Sequence, residues 1–264
     1  MDEFDLEAYL GRIAYHGSRE ASLDTLVALH EAHVGAIPFE NLDILLGRPI
    51  VLELGALQAK LVAGRRGGYC FEQNALFRAA LESLGFRVTP LAARVRTGPP
   101  GPVRPRTHMT LLVDVSGEPL LADVGFGGDG PLHPVPLRAG GLVGTGDNRC
   151  RLKREAGQWV LEGCASGDWA DLYVFTLEPQ FPADYEMANH FTSTHPRSPF
   201  VTNLVVQRSW RDKRVILRNR DLAVRRRGTT ETSTIRDAEH LLEVLAREFG
   251  LVFPAGTRLS RPEF

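Results

Sequence analysis

Cys70 is the residue in this 264-residue chain whose setting best suits covalent chemistry. It follows Arg65-Arg66-Gly67-Gly68-Tyr69 and opens the apolar-periodic run FEQNALFRAALESLGF, so it is expected in the first turn of a helix. The positive end of the helix dipole and the unpaired N–H groups there favour a thiolate. The same groups can hold an oxyanion during acyl transfer. Position alone does not establish the role, because a cysteine near a helix start is more often structural. Cys150 and Cys164 lack this setting and have no histidine or cysteine at metal-ligand spacing, so they read as buried or incidental thiols.

His108 begins the β-rich run HMTLLVDV, and Asp123 lies near the end of PLLADVGF, with the turn Ser116-Gly117-Glu118-Pro119 between them. Pairing Val115 with Glu118 would set His108 opposite Gly125, with Asp123 diagonal to it on the same face. A slip of one residue would send the two side chains to opposite faces. Taken together, Cys70, His108 and Asp123 offer a nucleophile, a base that later returns its proton, and a carboxylate that fixes the imidazole tautomer.

The elements that position these groups are legible in outline. Leu6, Leu10 and Ile13 share a helical face, as do Leu23, Leu26, Val27 and Leu29 after the N-cap candidate Ser22. From Phe86 onward short strands (RVTPLAARV, HMTLLVDV, PLLADVGF, QWVLEG, DLYVFTL) alternate with glycine- and proline-dense turns, and residues 97–107 must form a loop. After Pro199 come two further strands, NLVVQRSW and RVILRNR, then an amphipathic helix through Ala238, Leu241, Leu242, Leu245 and Phe249 that Gly250 closes. This order predicts an α+β protein.

Composition excludes several classes. Hydrophobic residues at 43% and charged residues at 24% exclude wholesale disorder, and a net charge of −1 supplies no field for nucleic acid or an anionic membrane. The acidic start MDEFDLEAYL is no signal peptide, no apolar run is long enough to span a bilayer, and the odd cysteine count suits a reducing compartment, so a cytoplasmic protein is expected. His30-Glu31-Ala32-His33 has the wrong spacing for a zinc protease and reads as ordinary helix histidines. Gly125–Gly130 spells G-x-G-x-x-G, but PLHPVPL follows where a dinucleotide fold needs a helix, which leaves only an anion-friendly glycine loop. The arginines between Arg208 and Arg227 read as the solvated face of two strands.

At this point the chain resembles the arylamine N-acetyltransferases. The matching pieces are Ile37-Pro-Phe-Glu-Asn-Leu42, Arg66-Gly-Gly-Tyr-Cys-Phe-Glu-Gln-Asn74, His108 with its strand, Ala122-Asp-Val-Gly-Phe-Gly127 and Ser193-Thr-His-Pro-Arg-Ser-Pro-Phe200. They run in the family's order over essentially the full length. The resemblance implies a papain-like cysteine triad on a helical bundle (1–86, carrying the nucleophile), an antiparallel β-barrel (87–195, carrying His108 and Asp123) and an α/β lid (196–264). It implies acetyl transfer from the cosubstrate acetyl-CoA, without a metal, through a Cys70 thioester to an aromatic amine or hydrazine. Phe39, Tyr69, Phe126 and Phe200 match positions that shape the acceptor pocket, and Thr107, Gly127 and Gly128 match the path of CoA.

Three other readings share parts of this pattern: an amide synthase of the same build, a papain- or transglutaminase-like thiol hydrolase, and a catalytically silent binding protein. The glycine loop and the RGGYCFEQN block favour the transferase over the hydrolase. The complete triad speaks against the silent protein. The physiological acceptor, acyl length and oligomeric state, homo-oligomer included, stay open at this stage.

Overall fold

The computed structural model describes residues 4–98, 101–165 and 167–260. Helix α1 (Leu6–Arg12) starts at Asp5, and α2 (Leu23–Ala36) starts at Ser22, whose hydroxyl accepts the Thr25 N–H at 3.3 Å. Strand β1 (Phe39–Glu40) and the one-turn helices α3 (Leu42–Leu45) and α4 (Leu54–Leu57) follow, α4 continuing as a π-helical stretch over Gln58–Ala63. Helix α5 (Cys70–Ser83) packs Leu76, Phe77 and Ala80 into one core with Tyr9, Leu26 and Leu29.

Eight strands come next: β2 (Arg87–Val95), β3 (His108–Val115), β4 (Glu118–Ala122), β5 (Val135–Pro136), β6 (Leu142–Val143), β7 (Arg149–Glu155), β8 (Gln158–Ala165) and β9 (Asp168–Phe175). They form one antiparallel sheet in the order β5-β4-β3-β2-β9-β8-β7-β6, and β5 lies against β6 and β7, so the sheet curls into a nearly closed barrel. Leu91, Leu121, Leu152, Leu161 and Phe175 fill it. Met109, Leu111 and Val113 of β3 point the other way, into the core shared with α5. That alternation docks the cysteine helix on the histidine strand.

Helices α6 (Pro182–Thr194) and α7 (Pro199–Thr202) lead to β10 (Val205–Ser209), β11 (Lys213–Arg218), β12 (Asp221–Arg226) and β13 (Thr229–Thr234), then to α8 (Ala238–Val244) with a π-helical continuation to Phe249. These strands make a second sheet, β1-β10-β11-β12-β13. Its first strand comes from the early chain, with Phe39 opposite Gln207.

The expected α+β class, with helices, barrel and a further α/β unit, is what the structure shows. Four local expectations need correction or limitation. The strand read over PLLADVGF stops at Ala122, and Asp123 leads into a bend at Val124 and Gly125. Four strands, not two, follow Pro199. Helix α6 was not anticipated, because it buries only Tyr185, Asn189 and Thr192 and so carries little apolar periodicity. The loop at 97–107 joins β2 to β3, but its Pro99 and Pro100 lie outside the described residues, as do the first three of the acidic start.

Candidate active site

The register carries the geometry. Val115 pairs with Glu118 and Leu111 with Ala122, so the start of β3, at His108, faces the bend after β4. His108 Nε2 lies 2.6 Å from Asp123 Oδ2. With Nε2 committed to the carboxylate, Nδ1 is the nitrogen left for the thiol. Cys70 is the first residue of α5, and its Sγ donates to the Thr107 carbonyl at 3.6 Å, one residue before His108. The structure thus brings Cys70, His108 and Asp123 together. All three are buried, at 3%, 3% and 1% exposure.

A hydrogen-bond scaffold surrounds the carboxylate. Asp123 Oδ1 accepts from Asn74 Nδ2 and from the Gly125 N–H, both at 3.0 Å. Asn74 also donates to the Met109 carbonyl at 2.8 Å and accepts the Val124 N–H at 3.1 Å, so one α5 side chain ties β3 to the bend after β4. The His108 ring meets Phe126 edge-on at 5.2 Å and Tyr173 at 4.8 Å. The helix start is equally constrained: Glu72 accepts the Tyr69 N–H at 3.0 Å and an Nζ–H of Lys60 at 2.7 Å.

Electrostatics follow from this packing. Burial disfavours the imidazolium, but the Asp123 charge and hydrogen bond, with the Cys70 sulfur, outweigh it and push His108 up to about 10. Burial would also raise the Asp123 carboxyl, yet the His108 charge and hydrogen bond, with Asn74, hold it below the usual range. The site therefore favours a buried positive ring on the Asp123 carboxylate.

Of the four aromatic residues singled out by sequence, three form one group and the fourth stands apart. Phe200 packs on Phe39 at 5.8 Å and on Tyr69 at 5.7 Å. Tyr69 is fully buried and its hydroxyl bonds Asn189 of α6. Phe126 instead lies on the histidine. Asn41, from the IPFEN run, donates to the Phe200 carbonyl at 2.6 Å and ties α7 to β1. Thr107, Gly127 and Gly128 are half-buried around the triad, and Phe39, Phe126, Gly127, Gln207 and Arg208 line a small cavity beneath the glycine loop.

The loop itself is held from the second sheet. Arg214, read from sequence as part of a solvated face, is only 5% exposed. Its guanidinium bonds the Gly128 carbonyl and donates to the Gly130 carbonyl at 3.1 Å, and Arg225 pairs with Asp129 at 2.7 Å. Arg208 likewise turns inward and donates to the Gly35 carbonyl at 2.7 Å, at the negative end of α2. Strand alternation puts Arg214 and Arg225 on one face of the second sheet and Arg208 on the other, but does not show that both faces are covered. The first loop N–H, on Gly125, serves the protein's own carboxylate, so the anion the loop start binds is Asp123.

Sequence reasoning gave no role to Asn74, Asn41, Arg214 or His30. Asn74 and Asn41 lie inside runs already singled out, and their short polar side chains amid buried neighbours were the available signal. Among the described residues no group of histidine, cysteine and carboxylate side chains could hold a metal ion.

The profile of the N-acetyltransferase family matches residues 22–257. The arylamine N-acetyltransferase of Mycobacterium tuberculosis is 42% identical over 252 residues, covering 94% of this chain and 89% of that protein. The Escherichia coli arylamine N-acetyltransferase is 39% identical, covering 93% and 88%. Among solved structures, the Mycobacterium marinum arylamine N-acetyltransferase in complex with CoA superposes with a TM-score of 0.90 at 42% identity, covering 94% and 93%.

Proposed function

The chain belongs to the arylamine N-acetyltransferase family, and we propose that it moves an acetyl group from acetyl-CoA to an aromatic amine or hydrazine through a thioester on Cys70. The observation that carries this reading is the His108–Asp123 hydrogen bond of 2.6 Å, at a strand end whose Thr107 carbonyl touches the Cys70 sulfur. In this reading residues 1–86 supply the nucleophile, 87–195 the base and its carboxylate, and 196–264 the cover.

The Cys70 thiolate attacks the acetyl carbonyl carbon, and N–H groups of the first turn of α5 stabilise the oxyanion. As the C–S bond to CoA breaks, the leaving sulfur takes a proton from the His108 imidazolium. The amine nitrogen then attacks the thioester, His108 takes its proton, and the Cys70 thiolate leaves, restoring the ion pair. Asp123 stays ionised throughout.

Phe39, Tyr69, Phe126 and Phe200 supply flat apolar surface suited to a ring. Thr107, Gly127 and Gly128 border the site where the CoA chain would pass. Arylamines are largely unprotonated near neutrality, whereas alkyl amines, with a lysine-like pKa of about 10.4, are mostly protonated there and lack the attacking lone pair. A free thiol nucleophile suits the reducing cytoplasm.

Steady-state kinetics test the reading. Parallel double-reciprocal lines are expected when acetyl-CoA and an aniline are varied, with anilines and aryl hydrazides far faster than alkyl amines. Intersecting lines, or faster discharge by peptides and alkyl amines, would sink it in favour of an amide synthase or a hydrolase.

A further inference from the structure

We propose that His30 is a positioning residue that holds both the triad carboxylate and the neck of the glycine loop, an assignment that rests on the acyl-transfer reading. His30 lies on α2, is fully buried, and uses each ring nitrogen once. Its Nε2 accepts the Asp123 N–H at 3.1 Å, and its Nδ1 lies 3.0 Å from the Leu132 carbonyl. A carbonyl only accepts, so Nδ1 carries the proton and Nε2 the lone pair. The two partners select a single neutral tautomer. Burial pushes the ring down to about 4, with Asp123, His133 and His33 the titratable groups that act on it or on which it acts, and the Phe77 edge packs on it at 5.8 Å.

The two anchor points are the two ends of one segment. Asp123 leaves β4 and Leu132 precedes β5, and these strands pair Leu120 with Pro136 and Leu121 with Val135. Between the anchors run Phe126 against His108, Gly127, Gly128 and the carbonyls gripped by Arg214. His30 therefore spans the neck from outside the sheet. One of its bonds fixes the backbone from which the carboxylate reaches His108. The other fixes the far end of the loop that borders the CoA path. An apolar core residue in its place would leave the Asp123 N–H buried and unpartnered beside the carboxylate.

Two variants separate the two bonds. An asparagine amide sits where Nδ1 sits and keeps the donor to Leu132, whereas glutamine reaches the Nε2 position and can present its carbonyl to the Asp123 N–H. Single-turnover acetylation of Cys70, the KM for acetyl-CoA, pH profiles and thermal unfolding are measured beside the wild type. His30→Asn should slow acetylation about tenfold with KM little changed, since a buried donor is left unsatisfied at the carboxylate. Its alkaline limb should move to lower pH as the imidazolium loses support. His30→Gln should keep the acetylation rate within about threefold and raise KM by about the same factor or more. Equal losses in both variants that follow only a lower melting temperature, or wild-type values in both, would overturn the assignment. A wild-type protein that accepts no acetyl group in the same series overturns the acyl-transfer reading, and this assignment with it.

Discussion

Gly125 passes so close to Cys70 that a β-carbon added to the glycine would sit 2.8 Å from the cysteine Cα and 2.7 Å from Asn74 Nδ2. The bend after β4 and the first turn of α5 are thus in backbone contact. That contact sets the depth at which the thiol meets His108.

Gly125→Ala is therefore expected to push the helix start and the hairpin apart. Overpacking of this kind costs about 1–3 kcal/mol of stability, and acetylation should fall by more than stability alone explains. Denaturant unfolding and single-turnover acetylation read the two effects. An alanine variant with wild-type rates would mean that the contact does not set the reacting geometry.

Asp123→Asn should fold and yet acetylate poorly. An asparagine in the same cage keeps oxygen toward Asn74 and the Gly125 N–H, which turns its NH₂ toward His108 Nε2 and selects the wrong imidazole tautomer. His108→Ala should be equally poor, and the double variant no worse than either, since the groups act as a unit. Near-normal acetylation by a folded Asp123→Asn protein would show that another group orients His108.

Stability should peak near neutrality and fall on both sides. His30 and His33 are pushed down to about 4 and about 3, first by burial, so the unfolded chain binds more protons below about pH 6.5 and stability falls as pH drops from there toward 4. Each of the two adds a slope of up to about 1.4 kcal/mol per pH unit. His108 is raised to about 10, so its contribution is fully present below about pH 6.5 and is lost as pH rises toward 10. Urea midpoints at pH 5, 7 and 9 check both limbs. A midpoint unchanged between pH 7 and 5 would contradict the acid limb.

Arg214→Lys should not rescue what Arg214→Ala loses. The guanidinium fork reaches the Gly128 and Gly130 carbonyls at once and also donates to Asn148 at 2.8 Å, and a lysine point charge cannot span them. Both variants are expected to raise the KM for acetyl-CoA more than they slow acetylation at saturation. A fully active lysine variant would show that charge, not the fork, holds the loop.

What could be read in advance followed local spacing. The turn allowed a Val115–Glu118 pairing that brings His108 and Asp123 together, with a one-residue slip still open until the structure fixed the register, and the glycine pair before Cys70 put the thiol at a helix start. What escaped depends on contacts far apart in the chain. His30 meets Asp123 across 93 residues and Arg214 meets Gly128 across 86, and no period of 2 or 3.6 encodes such pairs. A histidine on an apolar helix face and an arginine on an alternating strand look ordinary until the opposing surface is known. Helix α6 escaped for a related reason: its buried side chains include Asn189 and Thr192, which serve Tyr69 and the helix's own carbonyls and carry no apolar signal.

Mass mapping of the protein after mixing with acetyl-CoA alone tests the central claim most directly. One acetyl group should appear, on the peptide that contains Cys70, and it should vanish on addition of an aniline. Cys150 and Cys164 should stay unmodified: both are buried, Cys150 within the barrel core, and burial pushes the Cys150 thiol up to about 12. An acetyl group on Cys150 or Cys164, or product formed with Cys70 never acetylated, would contradict the account.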